Sequence, residues 1–300
     1  MESWKNAKAV FAAIAVAPMF WLLFFFLIPL GLVWLYSFGT NASLTEIEIS
    51  GTFSNYARAL DPLYLGILWK SVLVAAATTV ICLVVGFPVA LAIVFAADKW
   101  KPWLLLAIML PFWTNLLIRT YALIAVLRRE GYVNQTLGWL HEHYGNLMVL
   151  VGLPAPGAFE PLELLYNNFA VIFGLVYVHL PFMVLPLYAA LDRMDKSLIE
   201  ASLDLGAGHV RTLLTIVAPL AAPGIISGVI ITFVPALGAY LTPDLLGGPD
   251  SQMIANVIER QFKRANDWPF GAALSFLLMY ATFIAIAIQA MKSRQAERRQ

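Results

Sequence analysis

Six stretches of this chain are each long and apolar enough to cross a lipid bilayer: residues 10–36, 70–97, 103–127, 169–191, 219–243 and 270–291. A helix needs about 20 mostly apolar residues to traverse the hydrocarbon. Backbone polar groups find no water there, so a span must be a helix or belong to a closed barrel. Barrel strands alternate apolar and polar residues with period two, whereas these runs are continuous. The composition agrees, with 61% hydrophobic and only 12% charged residues where a soluble domain carries about 25% charge. Too few charges remain to coat a soluble enzyme of this length, and intrinsic disorder is excluded by the same numbers. The sequence predicts an all-α membrane protein with six transmembrane helices.

The first stretch has some features of a secretory signal, because Lys5 and Lys8 precede it and Ala15-Val16-Ala17 looks like a cleavage site. Its apolar run is longer than the roughly 7–15 residues of a signal core, and Pro18 directly follows the site, so a retained span is expected. Pro29, Pro88, Pro111, Pro181, Pro186 and Pro235 lie in or near spans and predict kinks, with neighbouring helices satisfying the freed backbone groups.

Basic residues set the orientation. With the N-terminus in the cytoplasm, the inner side holds Lys5, Lys8, Lys99, Lys101, Arg193, Lys196, Arg211, Lys292, Arg294, Arg298 and Arg299. The outer side holds only Arg58, Lys70, Arg128, Arg129, Arg260, Lys263 and Arg264. Both termini then fall inside: a cytoplasmic N-terminus 1–9, a six-span body 10–291 and a cytoplasmic tail 292–300. The connection 192–218 is cytoplasmic too. The net charge of +1 implies neither a nucleic-acid partner nor an acidic substrate. The single cysteine, Cys82, excludes a disulfide. The outer segments 37–69 and 128–168 are long enough to be functional, and short interfacial helices and a docking surface are expected in them.

The inner connection carries the most specific pattern. Residues 197–204 favour a helix, with Ser197 placed as a cap and Glu200 three residues on, as in a capping box. Gly206 and Gly208 suit a helix end or a close backbone approach. An apolar periodicity resumes at Leu213 and Pro219 opens the fifth span. On these residues alone, a membrane-parallel helix with only a structural role stays open.

This stretch resembles the EAA loop of binding-protein-dependent ABC importer permeases, whose pattern is Glu-Ala-Ala, three residues, Gly, nine residues, then Ile-x-Leu-Pro. Glu200, Ala201, Gly206, Ile216 and Pro219 stand at that spacing. Ser202 replaces the second Ala, and Ala218 replaces the Leu. The resemblance extends along nearly the whole chain and is nearest to the spermidine/putrescine permeases. It is carried by Asp61-Pro62-Leu63-Tyr64, by the runs 110–121 and 180–188, by Leu245 to Asp250, and by Asp267-Trp268-Pro269-Phe270-Gly271. Relatives within that group carry opines, phosphonates or other small solutes.

The resemblance implies a type I ABC importer (MetI-like) permease fold in a bacterial inner membrane. It implies as partners ABC ATPase subunits, a second homologous permease, an extracytoplasmic solute-binding protein and membrane lipid. The loop 197–219 would be the coupling helix seated in an ATPase cleft, with Glu200 and Asp204 making polar contacts and Ala201 and Gly206 permitting close approach. The chain has no Gly-x-x-x-x-Gly-Lys-Ser/Thr phosphate loop. It is therefore expected to be a transport subunit rather than an enzyme and to bind no cofactor, with ATP-Mg used by the partner.

Arg119 is the one charge well inside a span, where burial costs about 2.5–3.5 kcal/mol on insertion scales. A cationic substrate would be repelled by it, so a structural or gating role is favoured. Asp244 and Tyr240 better suit an ammonium, by charge and by cation–π attraction; Trp113 and Tyr121 could extend such a path, or belong to an ordinary interfacial belt. Gly224-x-x-x-Gly228 is a helix-packing motif, facing another subunit or an adjacent span. His141 and His143 lack further ligands for a metal, and His179 is read as a packed histidine. The alternatives are an ion-coupled carrier, which would need buried acidic residues or an inverted repeat, and a membrane enzyme, which would need a polar cluster in the spans. Neither feature is present.

Overall fold

A computed structural model describes residues 8–43, 46–152, 154 and 157–297. Lys5, Arg298 and Arg299 lie outside the described residues. In chain order the helices are α1 (Lys8–Leu22), α2 (Ile28–Tyr36), α3 (Ser54–Ala59), α4 (Pro62–Phe95), α5 (Lys101–Met109), α6 (Leu116–Leu127) and α7 (Tyr132–Leu150). They continue as α8 (Asn168–Asp192), α9 (Ser197–Asp204), α10 (His209–Thr212), α11 (Ala218–Leu220), α12 (Ala222–Leu237), α13 (Leu241–Leu246), α14 (Ile254–Lys263) and α15 (Trp268–Glu297). A short antiparallel hairpin pairs β1 (Thr40–Asn41) with β2 (Ile47–Glu48) in the register Thr40↔Glu48. The chain falls into two compact units, residues 1–65 with 257–300, and residues 66–256.

Proline explains most departures from straight helices. A π turn over Leu23–Leu27 joins α1 to α2, and a second over Leu213–Val217 joins α10 to α11. In each, a proline (Pro29, Pro219) stands two residues past the π turn. Proline has no N–H and its ring crowds the carbonyl four residues back. The N–H just before it reaches one residue further instead: Ile28 donates to Leu23, and Ala218 to Leu213.

Three segments are single helices of spanning length and hydropathy among the described residues: Ile14–Tyr36, Pro62–Phe95 and Asn168–Asp192. The stretches 103–127 and 219–243, expected as spans, are not single helices. The segments Lys101–Trp113 and Leu116–Leu150 meet at 93°, and His209–Leu220 and Ala222–Leu237 meet at 70°. At the first break Pro111 lies in a 3-10 turn, Leu110–Trp113, and Thr114 adopts extended geometry. The apolar part of α15 spans Trp268–Ile284.

In the first unit α15 packs on α2 and α3. Trp34 Nε1 donates to Tyr280 Oη at 2.7 Å, and the Asn55 carboxamide donates to the carbonyls of Ser37 and Gly39. In the second unit the core joins Cys82, Ala90 and Ile93 of α4 to Met183, Val184 and Leu187 of α8. α12 lies directly on α8: a Cβ on Gly224 would stand 2.5 Å from Ala190 Cβ, and one on Gly228 2.7 Å from Met183 Sδ. The Gly224-x-x-x-Gly228 motif therefore serves an adjacent helix of the same chain.

Candidate functional site

The segment from Asp195 to Pro219 folds as two short helices folded back through a glycine turn. Asp195 starts it. Its Oδ1 accepts the Ser197 N–H at 3.0 Å. That N–H, followed by the Ser197 side chain, holds the Asp195 carboxyl below the usual carboxylate range. The capping box expected from Ser197 and Glu200 does not form, because Lys196 occupies the N-cap without a side-chain cap bond. The acid two residues before Ser197 makes an Asx-type turn instead.

The far end of α9 is a Schellman motif. Gly206 N–H donates to Leu203 O at 2.9 Å and Ala207 N–H to Ser202 O at 3.1 Å, with Gly206 at φ +81°. An added Cβ at Gly206 would meet nothing within 4 Å. The glycine is thus required by its left-handed conformation, not by a close neighbour within the chain. Gly208 has an ordinary φ of −71°.

α10 returns alongside α9 and is tied to it by a buried hydroxyl pair, Ser202 Oγ to Thr212 Oγ1 at 2.9 Å. The serine that departs from the Glu-Ala-Ala pattern is the one that makes this tie. Sequence reasoning missed it, since nothing in periodicity pairs positions ten apart. Beneath the pair lies an apolar cavity of about 300 Å³ lined by Leu91 and Phe95 of α4 and by Ile199, Leu203, Leu213 and Val217. Glu200, Ala201 and Asp204 do not line the cavity and are all exposed. Leu205, next to Asp204 in sequence, is 89% exposed, and Val210, which also lines the cavity, is 70% exposed. A large apolar side chain as bare as Leu205 is a candidate contact point. Ile216 is half-buried in the π turn, and Pro219 is exposed.

Arg119 is buried at 7% exposure. Its Nη2 donates to Thr114 O at 2.9 Å and to Phe112 O at 3.4 Å. Those carbonyls are freed by the break before α6, whose N-cap Asn115 accepts from Leu117 N–H. Tyr177 of α8 places its ring 5.9 Å from the guanidinium, within cation–π range. The Arg119 Nε finds no partner among the described residues.

The four residues read as an ammonium path are dispersed along three elements. Trp113 and Tyr121 stand either side of the break and are strongly exposed. Tyr240 caps α13 and Asp244 lies exposed within it. That helix is held by Leu246, which packs with Leu127 and Ala170, and by Asn256, whose carboxamide donates to Tyr240 O at 2.8 Å. His141 Nε2 bonds Gly157 O and His143 Nδ1 bonds Trp139 O, so the two imidazoles serve separate carbonyls. His179 is buried on Leu175 O.

Comparison with known proteins decides the family. A family model described as the binding-protein-dependent transport system inner membrane component matches residues 7–295. The chain belongs to that family. It is a transport component of the inner membrane and not an enzyme. Among relatives, the spermidine/putrescine transport system permease protein PotB of Salmonella typhimurium is 38% identical over 291 residues, covering 97% of this chain and 96% of the relative. The PotB protein of Escherichia coli is 38% identical over 275 residues, 91% and 94% of the two chains. That of Haemophilus influenzae is 36% identical over 292 residues, 96% and 97%. A solved bacterial ABC transporter that imports the acidic polysaccharide alginate matches with a TM-score of 0.70 at 15% identity, over 98% of this chain and 99% of that one. A second structure of a bacterial alginate ABC transporter, bound to a pentasaccharide-loaded periplasmic protein, gives 0.74 over 98% and 97%. The overall fold of the inner membrane component is thereby that of an ABC importer permease.

Proposed function

We propose that this chain is a translocation subunit of an ATP-driven importer for a polyamine of the spermidine/putrescine class. The observation that carries the reading is 38% identity to spermidine/putrescine permeases over 97% of the chain. In this reading the chain crosses the membrane six times with both ends in the cytoplasm, two crossings being the broken segments. A second permease completes the pathway, an extracytoplasmic binding protein delivers the solute, and a pair of ATPase subunits supplies the energy.

The coupling step belongs to α9 and the glycine turn. Leu205 would enter an apolar cleft of the ATPase, and Glu200 and Asp204 would meet its polar rim. The Schellman turn and the Ser202–Thr212 tie make the segment stiff enough to carry ATPase closure into α12 as a rigid-body rocking. Arg119 holds the broken α5–α6 junction by its two carbonyl bonds and is a structural or gating group. Asp244, with Tyr240, offers a carboxylate and a ring to a passing ammonium, and Trp113 and Tyr121 extend that path.

The test is uptake into vesicles holding this chain with its permease partner, ATPase and binding protein. Labelled spermidine or putrescine should accumulate only when ATP reaches the ATPase side. Accumulation driven by an ion gradient without ATP, or failure of both polyamines while another solute is taken up, would refute the reading.

A further inference from the structure

The first unit contains a cavity that the coupling and transport roles leave unused. It measures about 330 Å³ and is bounded by Tyr36 at the end of α2, by Asn41, Glu46 and Ile47 of the hairpin, and by Asn266 and Trp268 before and at the start of α15. Its walls come from opposite ends of the chain and are fixed to each other by one carboxylate. Asp267 accepts from Asn41 Nδ2 at 3.2 Å and from Arg58 Nη1 at 2.7 Å, and it also caps the Phe270 N–H. Arg58 in turn lies 3.9 Å over the Phe270 ring. On the hairpin side the Glu46 N–H donates to Ser43 Oγ, and its carbonyl accepts from Ala42 and Ser43. Trp268 is oriented by donating Nε1 to Asn266 Oδ1 at 3.0 Å and by an edge contact with Phe262.

The lining is therefore preorganised, and its chemistry is selective. The Asp267 charge is matched by Arg58, whereas Glu46 forms no ion pair among the described residues. One carboxylate, two aromatic residues and carboxamide groups around a small cavity suit a compact organic cation. The carboxylate supplies charge, the rings attract a cation over their faces, and carboxamide oxygens accept from N–H donors. An anion would be repelled by Glu46, and an apolar ligand would leave the polar lining unpaired.

We propose that this cavity binds a primary alkylammonium group, and so forms a second cation site besides the path at Asp244. Its chemistry stands on the lining alone. Its service as a first station for incoming polyamine rests on the substrate reading above.

Calorimetric titration of the full chain in lipid nanodiscs tests it, with 1,4-diaminobutane as probe and uncharged 1,4-butanediol as control. The diamine should bind and the diol should not. Glu46→Gln should weaken diamine binding by about tenfold, Glu46→Asp should retain most of it, and Glu48→Gln should leave it unchanged. Equal affinity in the wild-type chain and Glu46→Gln, or no diamine binding to the wild-type chain, overturns the site. Should the assembled transporter move no polyamine while Glu46 still governs diamine binding, the substrate reading falls and the site stands. Should polyamine uptake proceed with the same KM in Glu46→Gln and titration show no difference, the site falls and the substrate reading stands.

Discussion

At the scale of single residues, the α9–α10 turn rests on two features that respond differently to substitution. Ser202 and Thr212 satisfy each other's hydroxyls in a buried place. Removing one hydroxyl leaves the other buried without a partner, which costs about 1–3 kcal/mol, whereas replacing both with apolar groups of similar shape is nearly neutral. Ser202→Ala and Thr212→Val should each lower the thermal unfolding midpoint, and the double variant should recover most of the loss. Additive losses would show that the pair is not coupled. Gly206 is a backbone requirement. A left-handed conformation costs a residue with a Cβ about 1–2 kcal/mol, and asparagine tolerates it better. Gly206→Ala should therefore loosen the turn more than Gly206→Asn, read as the protease sensitivity of the 197–212 segment. The space beside Gly206 is open, so neither variant should clash within the chain.

At the scale of elements, hydropathy located the apolar stretches but not where helices begin, end or break. α4 starts at Pro62, eight residues before the apolar run at 70. Asp61 Oδ1 accepts the Leu63 N–H, and Pro62 takes the first helical position, a start signal that a hydropathy window does not register. Pro111 signalled a bend, but its 93° depends on Thr114 turning extended and on Arg119 collecting carbonyls from Phe112 and Thr114. Those contacts reach back five and seven residues, matching no helical or strand period, so hydropathy does not register them. The Glu-Ala-Ser-x-x-x-Gly spacing did carry the local shape of the glycine turn, because one αL residue decides it. It did not reveal Asp195 as the helix starter or Leu205 as the barest apolar residue of the turn.

The Gly224-x-x-x-Gly228 motif was legible as packing, and the structure supplies its neighbour, α8. Met183 and Ala190 fill the notches left by the two glycines. A larger side chain must push α12 off α8, and overpacking of this kind costs about 1–3 kcal/mol. Gly228→Leu should destabilise more than Ser227→Leu, since Ser227 is exposed one residue away. The measurement is the thermal midpoint of the purified chain in one detergent. Equal shifts would mean that this face is not held as described.

At the scale of the whole molecule, the proposed coupling to an ATPase requires a surface on this chain that another protein can hold. In the proposed reading the 195–219 segment offers that surface through exposed side chains, Leu205 with Glu200 and Asp204. The turn itself is closed by backbone bonds and by the Ser202–Thr212 pair, none of which uses the Leu205 side chain. Folding and the proposed coupling are thereby separable by mutation at Leu205. Leu205→Asp should leave the thermal midpoint of the isolated chain unchanged or slightly raised, because an exposed apolar side chain is exchanged for a solvated one. In the assembled transporter the same variant should place a charge in an apolar contact, where an unpaired buried charge costs several kcal/mol. ATPase recovered with the permease should then fall at least about tenfold, since each 1.4 kcal/mol is tenfold in affinity. Binding of an extracytoplasmic protein, which in the proposed topology docks on the other side of the membrane, should persist. Loss of both partners together would point to misfolding, and retention of the ATPase at wild-type levels would remove the coupling role from this segment.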